Sequence, residues 1–331
     1  MSIIPRSASS IVCHGHSRPI VDLNFSNLTP DGYFLASASK DGKPMLRYGE
    51  NGNWYGTFEG HKGACWSCVL DGTALKCATG SADFTAKIWD ACTGQLLYDF
   101  VHNHIVRSVN FSSDNSKLVT GGAEKAARIF DLNHLGSAPV QFPLAASGIH
   151  NVHFLKNDSL IACSFVDKQG LLLYDVRTTK AVRVIESTAP LTSVEVSYDK
   201  RFLTTAEGET VRLFDADTLE CFRTINLRHK AESASYCAAK QHLAVGGEDM
   251  WPRVFDLNSM EELICNKGHH GPVHSIRWAP TYDAFATGSE DGTIRIWSAV
   301  SDGGQHPLSH PSDPTGRTTT NATLPSLISA A

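Results

Sequence analysis

Thr79-Gly-Ser-Ala-Asp-Phe-Thr-Ala-Lys-Ile-Trp-Asp90, preceded by Gly60-His61, is the stretch that decides the fold. Thr79 to Ser81 close an apolar run, Asp83 marks a tight polar turn, and Ala86-Lys-Ile-Trp89 alternates as a half-buried strand does. The same strand–turn–strand unit recurs at Thr120–Asp131, Thr204–Asp215, Val245–Asp256 and Thr287–Trp297, with looser copies ending at Tyr48 and Tyr174. The chain is built from repeats.

Closing aromatics fall at Tyr48, Trp89, Phe130, Tyr174, Phe214, Phe255 and Trp297, 40 to 44 residues apart. A period of about 40–45 residues, with Gly-His early and Trp-Asp late, is the mark of the WD40 propeller blade. The expectation is an all-β, seven-bladed WD40 β-propeller over residues 10–298. A flexible N-terminus (1–9) and a disordered Ser/Thr/Pro-rich C-terminal tail (299–331) flank it. No good fourth strand follows Trp297, so Ser10–Cys13 is expected to supply it and close the ring. Pro44 should shorten or bulge the third strand of blade one. The long connection Asp131–Ala146 is assigned to blade four, and blades four to six lack a clear Gly-His.

The 42% hydrophobic content suits a packed β protein, and a net charge of −5 argues against a strongly basic nucleic-acid surface. Nine cysteines are scattered without a disulfide framework, Met1–Ser10 is not an apolar secretory segment, and no apolar run is long enough to span a membrane. We therefore expect a soluble cytoplasmic protein, with the nucleus as a second location and no membrane insertion. The sequons at Asn24, Asn157 and Asn321 are then chance matches.

His, Asp and Ser/Thr recur together in a way that suggests a nucleophile–base–orienter triad. In blade two the set is His61, Asp83, Trp89 and Thr79 or Ser81; in blade seven it is His269, Asp291, Trp297 and Thr287 or Ser289. An active site occurs once per fold, whereas this set recurs with the blade, so a structural role is expected: carboxylate to imidazole to hydroxyl to indole N–H. Blade one offers His16 and Asp41 with Tyr48 for the indole; blade three offers His102 and Glu124 but ends in Phe130; blade five has Gly208 where the acid should be. Cys65-Trp-Ser-Cys68 lies on a strand, where residues three apart face opposite sides, and it lacks both the helix of a redox pair and the second pair of a zinc site. No catalytic residue, metal site, cofactor or small-molecule substrate is expected.

What remains is surface. The turn before each closing strand and the loop around Gly-His should emerge on one face, carrying Arg18, Lys40, Lys43, Lys62, Phe84, Lys125, Lys168, Met250, Trp251 and His270 as candidate partner-binding residues.

Particular words narrow the reading. Lys40-Asp-Gly-Lys-Pro-Met-Leu-Arg47, Gly60-His-Lys-Gly-Ala64, Ala82–Asp90, His104-Ile-Val-Arg-Ser-Val109 and Gly246-Gly-Glu-Asp249 resemble the serine/threonine kinase receptor-associated (unrip) family of WD40 proteins, over roughly Cys13 to Trp297. The resemblance implies a non-catalytic scaffold that joins the survival-motor-neuron (SMN) complex through its Gemin subunits and assists Sm-core assembly on spliceosomal RNAs. Contact with RNA would be indirect. A TGF-β receptor-kinase and Smad adaptor role is the family's second implication. The tail lacks the acidic character of that family's C-terminal segment. Three competing readings are the similar WD40 propeller subunit of translation initiation factor 3, a substrate adaptor of a ubiquitin ligase, and an enzyme with acid–base groups in the central channel.

Overall fold

The structure, a computed structural model, describes residues 10–299 except Leu144, Ala146, Lys168 and Gln169. The expected flexible N-terminus, the disordered tail beyond Ala299 and the candidate Lys168 lie outside the described residues.

Each repeat folds as a four-stranded antiparallel sheet, numbered here from the channel outward, and there are seven. β1 (Ser10–Cys13) stands apart from its neighbours in sequence. Blade one is β2 to β5 (Ile20–Phe25, Phe34–Ser39, Met45–Tyr48, Trp54–Thr57). Blade two is β6 to β9 (Cys65–Leu70, Lys76–Ser81, Thr85–Asp90, Leu96–Val101). Blade three is β10 to β13 (Val106–Phe111, Lys117–Gly122, Arg128–Asp131, Val140–Gln141). Blade four is β14 to β17 (Ile149–Leu155, Leu160–Phe165, Leu171–Asp175, Ala181–Ile185), and blade five β18 to β21 (Ser193–Val196, Phe202–Glu207, Thr210–Asp215, Cys221–Asn226). Blade six is β22 to β25 (Ala231–Cys237, His242–Gly247, Arg253–Asp256, Glu262–Cys265), and blade seven begins with β26 to β28 (Val273–Trp278, Ala284–Ser289, Ile294–Ser298).

β1 completes blade seven as expected, pairing Ser10 with Trp297 and Cys13 with Ile294. β4, which follows Pro44, is short as expected, with four residues against six in β8, but β12 has four as well with no proline before it. The long connection after Asp131 belongs to blade three, not blade four, because it carries that blade's two-residue outer strand β13.

The innermost strand carries a register shift near its start in six of the seven blades; in β6 it lies between Cys65 and Ser67. The bulge resets the period-two alternation. Cys65 and Cys68, expected on opposite faces, are therefore both buried in one apolar cluster with Ala36, Leu46, Phe58 and Trp89. Burial pushes both thiols above their ordinary range, so they pack as thiols.

Apolar burial is between blades. A glycine near the end of the second strand explains how tightly they meet: a Cβ at Gly288 would lie 2.6 Å from Ile20 Cγ2 of the next blade, and one at Gly246 would lie 2.5 Å from Val273 Cγ1. Around the channel, hydroxyls of one blade accept N–H groups from the next innermost strand: Leu23 donates to Ser275 at 3.1 Å, Val152 to Ser108 at 3.0 Å and Ile276 to Ser233 at 3.2 Å. Asp22 performs this role between blades one and two, accepting from Cys68 at 3.2 Å.

Deleting residues 1–13 leaves the edge of β28 open and unburies the seam at Cys13. We expect the unfolding free energy to fall by more than about 2 kcal/mol and the protein to self-associate. Denaturant titration with light scattering tests this; an unchanged midpoint in a monodisperse protein would refute the clasp.

Candidate functional site

In blade two the buried relay forms as a continuous chain. Trp89 Nε1 donates to Thr79 Oγ1 at 2.8 Å, Thr79 meets His61 Nε2 at 2.7 Å, and His61 Nδ1 meets Asp83 at 2.8 Å. Blade seven repeats it through Trp297, Thr287, His269 and Asp291 at 2.8, 2.7 and 3.0 Å. With the hydroxyl accepting from the indole, it donates to Nε2, so Nδ1 carries the imidazole proton toward the carboxylate. Burial holds His269 below its ordinary pKa against the pull of Asp291, as a neutral ring requires. Burial opposes ionisation of Asp291, but the His270 N–H, Thr293 and His269 outweigh it and bring its pKa down to about 2; Asp83 is depressed in the same way.

Ser81 and Ser289 are not relay members. Their hydroxyls bridge the turn, donating to Gly63 O at 3.2 Å and Gly271 O at 2.9 Å. In blade one His16 reaches Asp41 and Ser37, both at 2.8 Å, but the place of the indole is not taken by Tyr48. The strand register puts Arg47 opposite Leu35 as Trp89 stands opposite Cys77. Arg47 is buried and donates to Gly52 O at 3.1 Å and to His14 O. In blade three His102 turns Nδ1 to Phe100 O at 3.0 Å rather than to Glu124, which pairs with Arg128 at 2.9 Å. Blade five does have its acid, one residue early: Glu207 pairs with Arg212, and blade six matches it with Asp249 and Arg253. Blades one, two, three, five and seven share a carboxylate accepting a loop N–H, from Ser17, Lys62, Asn103, Thr188 and His270 respectively. Histidine or arginine then completes it.

The loop face carries the candidate partner residues in an arc over blades six, seven, one, two and three. Arg18, Lys62, Lys125 and His270 are exposed. Lys40 pairs with Glu290 across the blade seven–one seam at 3.5 Å, and Lys43 with Glu59 at 3.6 Å. Trp251 is 37% exposed, with Lys267 Nζ 4.3 Å from the ring centroid. Phe84 is 43% exposed against His104, ring centroids 5.3 Å apart. The turn position of Phe84 is left-handed in every blade where it is described. Glycine holds it in blades one, five and seven (Gly42, Gly208, Gly292), whereas Phe84, Lys125 and Met250 hold it at φ of 69°, 67° and 66°. A non-glycine residue pays about 1–2 kcal/mol in that conformation.

Sequence reasoning found no convergent acid–base groups in the central channel; the tertiary structure assembles some. A cavity of about 260 Å³ is lined by Asp22, Arg107, His150, His153, Glu195 and Arg277 among others. Arg277 lies 3.6 Å from Asp22 and 3.8 Å from Glu195. Burial pushes Glu195 up to about 7 despite Arg277, and pushes His150 and His153 down to about 4, each helped by an arginine. These residues come from five innermost strands, β2, β10, β14, β18 and β26, with His150 and His153 both on β14, and only ring closure joins them. Among the described residues no group of three His, Cys, Asp or Glu side chains could hold a metal ion, and no helix is long and apolar enough to cross a membrane.

The WD domain, G-beta repeat profile matches residues 8–46, 52–90, 94–131 and 261–298, which are blades one, two, three and seven. With seven four-stranded sheets in a closed ring, the chain is a WD40-repeat propeller. The serine-threonine kinase receptor-associated proteins of Mus musculus and Dictyostelium discoideum are 42% and 40% identical over 88% of this chain, covering 82% and 99% of those proteins. The chain belongs to the serine-threonine kinase receptor-associated protein family. Eukaryotic translation initiation factor 3 subunit I of Drosophila grimshawi is 29% identical over 87% of the chain and 96% of that protein.

Replacing His61 by alanine should cost about 1–3 kcal/mol, because it strands a buried carboxylate and a hydroxyl; His102→Ala should cost less, since that relay ends at Phe130 without a donor. Equal losses in denaturant titrations would contradict this ranking. In the channel, low folded pKa values at His150 and His153 mean the unfolded chain binds more protons below pH 6.5, so stability falls as pH drops from 6.5 toward about 4. The raised pKa of Glu195 has the opposite sign, removing stability as pH rises from 4.5 toward about 7. Glu195→Gln should therefore steepen the rise of stability with pH between about 4.5 and 6.5. A flatter profile than that of the parent protein would overturn the assignment.

Proposed function

We propose that the chain is a rigid, non-catalytic platform of the SMN–Gemin complex, assisting assembly of Sm cores on spliceosomal RNAs, with protein partners seated on the loop-face arc and RNA contacted only through them. The cytoplasm is the expected place of action, with a nuclear pool. The observation that supports a docking face is the strained display of Phe84 and Met250 where glycine serves in three other blades. An exposed aromatic held at an energetic cost is most simply explained by contact with something else. Trp251, flanked by Lys267 and Arg253, supplies a second aromatic anchor on the same face.

The resemblance of particular sequence words supports the assembly reading, and the name of the relatives, serine-threonine kinase receptor-associated protein, supports a second one, association with a receptor kinase. The initiation-factor reading rests on a relative of lower identity, 29% against 42%.

Affinity purification of the tagged protein with mass spectrometry separates these. Gemin, SMN and Sm proteins are expected, and Trp251→Ala and Phe84→Gly should each reduce their recovery. Phe84→Gly relieves left-handed strain, so its stability should stay within about 1 kcal/mol of the parent or exceed it. Initiation-factor subunits in place of Gemins, or undiminished recovery with both variants, would overturn the proposal.

A further inference from the structure

Blade one departs from its neighbours at the outer rim. Because Arg47 takes the place of the indole, Tyr48 falls where Asp90, Asp131, Asp175, Asp215 and Asp256 end the third strands of blades two to six. Those aspartates accept N–H groups of the turn that follows, as Asp90 does from Cys92 at 3.0 Å and Thr93 at 2.7 Å. At Tyr48 a phenol ring stands 40% exposed instead. It packs with Phe34 and Tyr55 at centroid distances of 5.6 and 5.4 Å.

On the other face of β5, Trp54 is in register with Arg47 and 60% exposed; no described aromatic side chain is more so. Among the described residues β5 pairs only with β4, which leaves its outer edge free, and a Cβ built on Gly56 would meet none of them within 4 Å. A neighbouring backbone can therefore approach this edge closely. Carboxylates border the tyrosines. Asp31 and Glu50 are exposed, Glu50 leaning over Gly32 beside Asp31, and Asp90 lies beyond Tyr55. Among the described residues none of the three makes an ion pair. Burial, then Cys92 and Tyr48, with Asp90 and Asp31 adding to them, raises the Tyr55 hydroxyl pKa. An exposed aromatic edge within an unneutralised negative field is a surface made for a cationic partner.

We propose that the free edge of β5 docks an extended, arginine-bearing segment of a partner protein, which adds as a fifth strand to blade one. Side chains of an added strand alternate between its faces. One set lays guanidinium groups over Tyr48 and Tyr55 within reach of Asp31, Glu50 and Asp90; the other lays apolar groups against Trp54. Arginine suits the site better than lysine because its planar group both stacks on a ring and pairs with a carboxylate. The site is separate from the loop face at Phe84, and it stands whichever complex that face serves.

The probe is a labelled short peptide alternating arginine and valine, titrated into the full chain and read by fluorescence anisotropy. Saturable binding is expected, weakened about tenfold by Tyr48→Ala, by Trp54→Ala and by the pair Asp31→Lys with Glu50→Lys, and untouched by Phe84→Gly. The charge-reversed residues are exposed, so that variant should melt with the parent and its result reads binding alone. A peptide alternating glutamate and valine should not bind. Full affinity after charge reversal, loss with Phe84→Gly, or a single-stranded oligoribonucleotide competing through the same residues would overturn the proposal.

Discussion

The innermost strands face one another around the channel with one hydrogen-bonding edge each, and the ring holds because the preceding blade satisfies those edges. Ser275, Ser108 and Ser233 reach across the seams to the N–H groups of Leu23, Val152 and Ile276. An N–H left unpaired at such a seam would cost about 1–3 kcal/mol, so small hydroxyl residues at this register are structural necessities. The one acid in the series, Asp22, has a further consequence. Its buried charge stands beside Arg277, which also approaches Glu195 on the far side of the channel.

A second requirement recurs in blades one, two, three, five and seven, where a carboxylate receives a loop N–H. Blades two and seven complete that carboxylate with a neutral histidine backed by threonine and tryptophan. Blades three, five and six use an arginine from their own third strand instead. The two solutions fill similar positions but differ in charge. The histidine relay buries no net cation, whereas the arginine form is an ion pair. The histidine-bearing blades one, two, three and seven are also those that the repeat profile recognises.

Binding surfaces arise where the repeat is relaxed. A left-handed turn position served by glycine elsewhere displays Phe84, Lys125 and Met250 on the loop face. A displaced aromatic, freed when Arg47 entered the core, displays Tyr48 at the rim. Both place large or charged side chains partly in solvent, Tyr48 keeping contact with Phe34 and Tyr55 of its own blade. Stability in a seven-fold array is shared among many similar seams, so a single blade can carry such a cost without endangering the ring.

The amino-acid sequence by itself determined the number of blades, the order of strands within each and the strand that closes the ring, because these depend on local period and on a missing copy at one end. It also determined the histidine, tryptophan and aspartate of blades two and seven, whose spacing is that of one strand pair and its loop, but left the hydroxyl as threonine or serine, and the structure chose Thr79 and Thr287. It misled where a bulge intervened. Cys65 and Cys68 share a face because one residue drops out of register between them. Arg47 rather than Tyr48 lines up with Trp89 because it stands six residues after Asp41, as Trp89 does after Asp83, a spacing hidden when aromatic is matched to aromatic. The channel group of Asp22, His153, Glu195 and Arg277 was invisible to any repeat-by-repeat reading. Its members lie on four different blades at unrelated sequence separations, and only the closure of the ring brings their charges within a few ångströms of one another.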